Sequence, residues 1–548
     1  MTARPLSQSW ADAGVDGAGS GARHLLAVGI HLGLLFLIYA QAAGFDYVYY
    51  DDDRYILKNP QVLSGLGWDS ARWAFTSLYM SNWHPLTWLS HMLDTSLFGT
   101  DPGPAHLHNV LLHGVNSLLV YALLLRYRAL WWQAALLSLV FLAHPLHIES
   151  VAWIAERKDL LCALFYLLGL LSYDAYRREG GAGRYLAVCA LCALALLSKP
   201  MAVTFPVVLV LLDMSLYRAP ASAGPPRRHP AALYDVLRDK LPMLFMALVS
   251  GVVTIVAQDR SHAIKELELL GLAERVQTAL HAYATYLEQW LRPVGLAAFY
   301  PHPGAYPAAT VAACTLVVLG LLAVAVFAAR RHRRAGAGLG FYFITLLPVI
   351  GLVQVGSQAH ADRYMYLPSV GLLLALVDIM PRSGHRYFSL SAITGCLFLA
   401  YLSVLSYWQA GYWRDEHTLF TRSAEVTGHN FITHIHLAAA YERLGMPGMV
   451  IPHAEAAIAL RPGRRDGHLS LAGAALAERR YADAERHYVQ ALSMGSEIPG
   501  ALNNLGIAIA QQGRPQEALP LFARALEIDP GRTDARRNLR RYREQVTP

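Results

Sequence analysis

Three consecutive acids, Asp51-Asp52-Asp53, follow Tyr49-Tyr50 just beyond the first long apolar stretch of the chain. Carboxylates crowded beside low-dielectric lipid repel one another and raise each other's pKa toward the range a general base needs. Further polar segments interrupt later apolar runs: Asn82-Trp83-His84-Pro85, His144-Pro145-Leu146-His147-Ile148-Glu149, Glu156-Arg157-Lys158-Asp159, Ser198-Lys199-Pro200 and Asp362-Arg363-Tyr364-Met365-Tyr366. Arg157, Lys199 and Arg363 are candidates to hold a lipid phosphate, since a guanidinium grips phosphate oxygens bidentately and an ammonium offers a point charge. The other reading of these cations is snorkelling, or pairing with Glu156, Asp159 or Asp362. His84, His144, His147, Glu149 and Tyr366 are expected to line the same site. The spacing His-x-x-His-x-Glu does not place three ligands on one helical face and Pro145 favours a turn, so no metal site is assigned.

These residues need a membrane to position them. Of 548 residues 55% are hydrophobic and 16% charged, more apolar surface than a soluble core can hide. The net charge of +7 would suggest nucleic acid in a soluble protein, but the basic residues fall in short loops between apolar runs, and no nucleic-acid partner is implied. Cys162, Cys189, Cys192, Cys314 and Cys396 all lie in apolar stretches, which excludes a disulfide framework and a zinc knuckle.

Apolar stretches at residues 24–43, 105–125, 129–143, 160–176, 185–198, 201–217, 241–257, 308–328, 339–355, 366–380 and 388–407 predict about eleven spans. The amphipathic stretch Val276 to Leu296 reads as a re-entrant or interfacial helix. Basic clusters at Arg126/Arg128, Arg177/Arg178/Arg184, Arg218/Arg227/Arg228/Arg238/Lys240, Arg330/Arg331/Arg333/Arg334 and Arg382/Arg386 recur in every second loop. The positive-inside rule puts those loops in the cytoplasm and the acids and histidines of the opposite loops on the outer side.

After Trp408 the composition changes to soluble helix, and a 34-residue period emerges: Leu437/Leu471/Leu505, Ala438/Ala472/Gly506, Ala457/Ala491/Ala525 and Pro462/Ser496/Pro530. Those offsets carry the tetratricopeptide signature, in which small residues let two helices pack closely. The expected organisation is a disordered cytoplasmic N-terminus (1–23), a transmembrane domain (24–413), a linker (414–430), three repeats (431–532) and a capping helix (533–548). The fold class is all-α: a polytopic helical membrane domain followed by an α-solenoid.

With these motifs in place the sequence resembles the transmembrane and tetratricopeptide-repeat O-mannosyltransferases and their bacterial relatives, among the lipid-linked-sugar glycosyltransferases of the GT-C fold. Their first outer loop reads roughly Asp-Asp-x-x-x-Ile-x-x-Asn, which falls here on Asp51, Asp52, Ile56 and Asn59. The resemblance implies a GT-C-like membrane domain and an inverting transfer of mannose or another hexose from polyprenyl phosphate to Ser or Thr hydroxyls of a protein. Asp51 is then the candidate base, with Asp52 beside it. It also implies an acceptor protein held by the repeats, and a site facing the periplasm from a bacterial inner membrane, or the lumen of the endoplasmic reticulum in a eukaryote. Some GT-C enzymes use a divalent cation with loop acids and others none, so no cofactor is required and a divalent cation stays open. The competing reading is a non-catalytic membrane anchor that presents the repeats as a scaffold for envelope assembly.

Overall fold

The structure, a computed structural model, describes residues 17–217, 236–260, 271–352, 358–381, 387–428 and 430–546. Most of the expected N-terminal segment, and Arg218, Arg227, Arg228, Arg382 and Arg386, lie outside the described residues. The described chain is all-α and divides into two compact units: residues 1–296 with 302–414, and 297–301 with 415–548.

In the first unit, six helices among the described residues are long and apolar enough to cross a bilayer: Gly21–Gly44, Pro102–Arg126, Ile154–Glu179, Arg238–Asp259, Ala308–Arg331 and Phe388–Gly411. A helix satisfies every backbone group internally, so twenty apolar residues in a row can do nothing else in lipid. A bent pair, Trp131–Leu142 with Pro145–Ala152, makes a seventh if the two count as one span. The chain is an integral membrane protein. The other stretches predicted as spans are shorter: Ala182–Ser198, Phe205–Ser215, Arg333–Leu346 and the nine-residue Pro368–Leu376. They stop early because polar turns and prolines cut them, at Lys199-Pro200 and at Asp362–Met365 before Pro368.

Several residues of the basic clusters pair with acids at the helix ends. Arg178 and Tyr217 both bond Asp174, at 2.8 and 2.7 Å, Arg177 meets Asp213 at 3.2 Å, Lys240 pairs with Asp213, and Arg334 meets Asp378 at 2.6 Å. Two of the shorter helices approach closely. A Cβ on Gly371 would stand 2.5 Å from the Gly338 carbonyl and 2.8 Å from the Tyr342 nitrogen, so only glycine admits this spacing. The amphipathic helix Leu272–Leu291 buries one face, and from it the Tyr286 hydroxyl accepts from the Ala361 amide at 3.1 Å while the Trp290 carbonyl bonds His144 Nε2 at 2.9 Å.

The second unit begins with Glu416–Thr427, a helix inside the segment expected as a linker, N-capped by Asp415. Three helix pairs follow: Phe431–Arg443 with Pro447–Leu460, Asp466–Ala477 with Tyr481–Ser493, and Pro499–Gln511 with Pro515–Ile528. Ala438 and Ala472 are fully buried, and a Cβ on Gly506 would meet the Phe522 ring at 2.7 Å, which is why the period demands small residues there. Thr533–Val546 closes the stack with Tyr542 stacked on Phe522, centroids 5.6 Å apart.

Candidate functional site

The loop after the first span shows what each motif residue does. Asn59 caps the helix Pro60–Leu63, its side-chain oxygen accepting from the Gln61 and Val62 amides at 3.1 and 3.4 Å. Ile56 is buried. Asp52 is wholly buried, and its two carboxylate oxygens accept from the Val48 and Ala155 amides at 3.0 and 2.9 Å, tying the loop to the turn 154–156. Asp53 meets exposed Lys58 at 2.7 Å. Asp51, half-buried, points into a cavity of about 540 Å³. Among the described residues its carboxylate takes neither a hydrogen bond nor an ion pair.

Three cations and one stacked aromatic pair share that cavity. Its wall includes Tyr50, Asp51, Tyr55, Trp153, Glu156, Lys158, Lys199, Arg363 and Tyr364. Lys199 Nζ lies 2.5 Å from Asp159 and 3.3 Å from Glu156. Lys158 Nζ lies 3.0 Å from Glu156 and 5.0 Å from the Tyr55 ring centroid. The Arg363 guanidinium pairs with Glu149 and reaches Glu156 at 3.4 Å, while its backbone amide donates to Glu149 at 2.8 Å. Glu156 thus touches all three cations. Tyr50 stacks on Trp153 at 5.1 Å, and Trp153 stacks in turn on Trp413 at 5.8 Å.

Burial raises the Asp51 carboxyl above its ordinary range, with Lys158 acting in the opposite sense. Burial likewise pushes Asp52 up to about 7, against the two backbone amides that favour its charged form. His84 is held well below its ordinary value by burial and then by Lys158, so it stays neutral at physiological pH.

The other expected site residues separate. Arg157 is not in the cavity: it is fully buried, with its guanidinium spent on Asp94, on the Asn109 side chain at 2.8 Å and on the Ala105 carbonyl at 2.7 Å. Its neighbour Lys158, singled out by no motif reasoning, occupies the place expected for it. His144 and His147 do not line the cavity either. His144 Nδ1 accepts from the Leu146 amide, and its Nε2 is used by Trp290; His147 bonds the Phe141 carbonyl at 2.7 Å and Ser369 at 3.1 Å. Tyr366 is a core residue, its hydroxyl bonded to His113 at 2.7 Å and Asn116 at 3.2 Å. Glu149 serves the site from behind, through Arg363. His84 lies buried against Tyr55 and Trp88, at ring separations of 5.7 and 4.8 Å. Among the described residues no three His, Cys, Asp or Glu side chains converge as a metal cage.

Helix Leu241–Arg260 supplies another wall through Gly251, Thr254, Ile255 and Gln258. Ile255 also remains 60% exposed, and Phe245, Leu248 and Val252 stand exposed on the same helix. The cavity therefore borders an apolar outer surface as well as the polar loops.

Fold and site together define a polytopic helical membrane protein with an acid–cation cavity and a helical repeat array. Residues 469–533 match the tetratricopeptide repeat family. The chain is 25% identical over 458 residues to human Protein O-mannosyl-transferase TMTC4, covering 73% of this chain and 61% of the relative. It is 24% identical over 507 residues to human Protein O-mannosyl-transferase TMTC1, covering 81% and 56%. Against Drosophila melanogaster Protein O-mannosyl-transferase Tmtc2 the identity is 36% over 196 residues, covering 33% and 21%. The chain thus spans less than two thirds of the length of these relatives. These relatives are named protein O-mannosyl-transferases, in keeping with the family its motifs resemble.

Proposed function

We propose that this chain is a membrane glycosyltransferase that moves mannose or another hexose from a polyprenyl-phosphate donor to Ser or Thr hydroxyls of a protein, with Asp51 as general base. The observation that carries this reading is the cavity itself, where one carboxylate without a paired cation shares a wall with Lys158, Lys199 and Arg363. Asp51 takes the proton from the acceptor hydroxyl, whose oxygen attacks the anomeric carbon from the face opposite the phosphate. The carbon–oxygen bond to phosphate breaks with inversion, and the electron pair leaves on the polyprenyl phosphate, whose charge the three cations meet. The exposed apolar side of helix Leu241–Arg260 suits the polyprenyl chain. The names of the relatives support protein as the acceptor class. The repeats, a fold that commonly binds extended peptide, hold that acceptor. The site faces outward, periplasmic in a bacterial inner membrane, since the basic clusters favour a cytoplasmic position for the opposite loops.

The experiment incubates purified full-length protein in lipid nanodiscs with a panel of polyprenyl-phosphate hexoses and the host's envelope proteins, and reads intact mass. Donor-dependent addition of hexose to a protein is expected. Donor left intact across the whole panel would favour the scaffold reading instead.

A further inference from the structure

The repeats carry paired histidines that the proposed transfer does not account for. His434 and His453 stand Nδ1 to Nδ1 at 3.0 Å, one on each helix of the first pair; His468 and His487 do the same at 3.1 Å in the second. The two pairs occupy the same repeat positions, 34 residues apart. In the third repeat those positions are Leu502 and Leu521, which pack in an apolar cluster. This helix–helix contact is apolar in the third repeat, whereas the first two carry imidazole there on both helices.

The geometry points to a two-imidazole binding site for a borderline divalent transition metal such as Zn²⁺ or Cu²⁺ in each of the first two repeats. Two nitrogens bound to one ion at about 2.0–2.1 Å stand about 3.0–3.4 Å apart for angles between about 95° and the tetrahedral value. Both pairs fall in that interval, which an N–H···N hydrogen bond shares; with ring centroids 5.2 and 5.4 Å apart the nitrogens face head-on, and a turn of each ring brings both onto one ion. Imidazole is a preferred ligand of these ions, and His453, His468 and His487 are half-buried while His434 is buried. Each pair supplies two donors, which leaves coordination positions for water or for a side chain of a docked protein. Because the two helices of a repeat would be bridged, the metal would also stiffen the array.

The test titrates Zn²⁺ alone into the full chain in lipid nanodiscs at pH 7.5, by calorimetry, beside His453→Leu, His487→Leu and the double variant. Leucine is what the third repeat carries at the matching position of its second helix, so these changes keep an occupant the repeat already accommodates; circular dichroism checks that they fold. Each single variant should bind one Zn²⁺ fewer than the parent and the double variant two fewer. Cu²⁺ in place of Zn²⁺ should give a paramagnetic resonance signal with coupling to two nitrogens, lost in the double variant. If the leucine variants misfold, His434→Gln and His468→Gln remove a ligand from the other helix and must show the same stepwise loss. Unchanged Zn²⁺ stoichiometry in the folded variants would overturn the assignment and leave the pairs as imidazole–imidazole hydrogen bonds.

Discussion

Replacing Asp52 by asparagine separates a tether from a catalyst. In the native loop its two oxygens satisfy two buried amides, those of Val48 and Ala155. An asparagine side chain has one acceptor oxygen, and its amino group would face the second amide donor to donor. Leaving one buried N–H unsatisfied costs about 1–3 kcal/mol, which speeds local opening about 5- to 150-fold. Hydrogen exchange by mass spectrometry should therefore show faster exchange at Val48 or Ala155 in Asp52→Asn, with the helices of the bundle core unchanged. The effect should also depend on pH. The native carboxyl sits at about 7, raised from an unfolded value near 3.8 by burial, so the folded state holds a proton that the unfolded state has released between those values. Loop stability in the parent should fall as pH rises from about 4 to about 7, by at most about 4 kcal/mol at about 1.4 kcal/mol per unit, while Asp52→Asn lacks this slope. Native exchange at both amides, combined with a loss of sugar transfer as deep as that of the Asp51 variant, would refute the tether and make Asp52 part of the chemistry.

Three further outcomes follow from the same geometry. Arg157→Ala takes the guanidinium from the buried Asp94 carboxylate, which keeps His108 at 2.8 Å, and from the Asn109 oxygen, so it should cost about 3–5 kcal/mol and show as a lowered melting temperature and poor recovery from the membrane, whereas Lys158→Met should recover normally. Lys158→Met removes the cation that opposes the upward shift of Asp51, so the acid limb of the transfer rate should move to higher pH, measured as kcat against pH; Lys158→Arg should keep the limb nearer its original place. Gly371→Val drives side-chain carbon into the Gly338 carbonyl, which cannot yield, and should destabilise the first unit by about 1–3 kcal/mol in thermal melts.

The long spans and the repeats were legible because each rests on a periodic apolar pattern, and Asp51, Lys199 and Arg363, which line one cavity, stood out because polar residues between apolar runs are rare. What stayed hidden was direction. Arg157 and Lys158 are neighbours at the start of one helix, about 100° apart around its axis, and which of them faces the cavity depends on Asp94 and Asn109, brought from elsewhere in the chain. Asp51 and Asp52 look alike in sequence; the Ala155 amide, 103 residues away, distinguishes them. His144 and His147 read as site-lining because their partners, the Trp290 and Phe141 carbonyls, leave no trace in residue type. The stretch 366–380 read as a span because hydropathy does not register where a helix stops, and here it ends at Leu376.

The most direct test of the central claim is sugar transfer by Asp51→Asn, measured by intact mass on the protein acceptor with the polyprenyl-phosphate donor that the parent uses. The amide fills the same space but cannot take the acceptor proton at neutral pH, so transfer should fall by about 10²–10⁴-fold while folding and donor binding persist. Parent-like turnover by a folded Asp51→Asn protein would contradict the account.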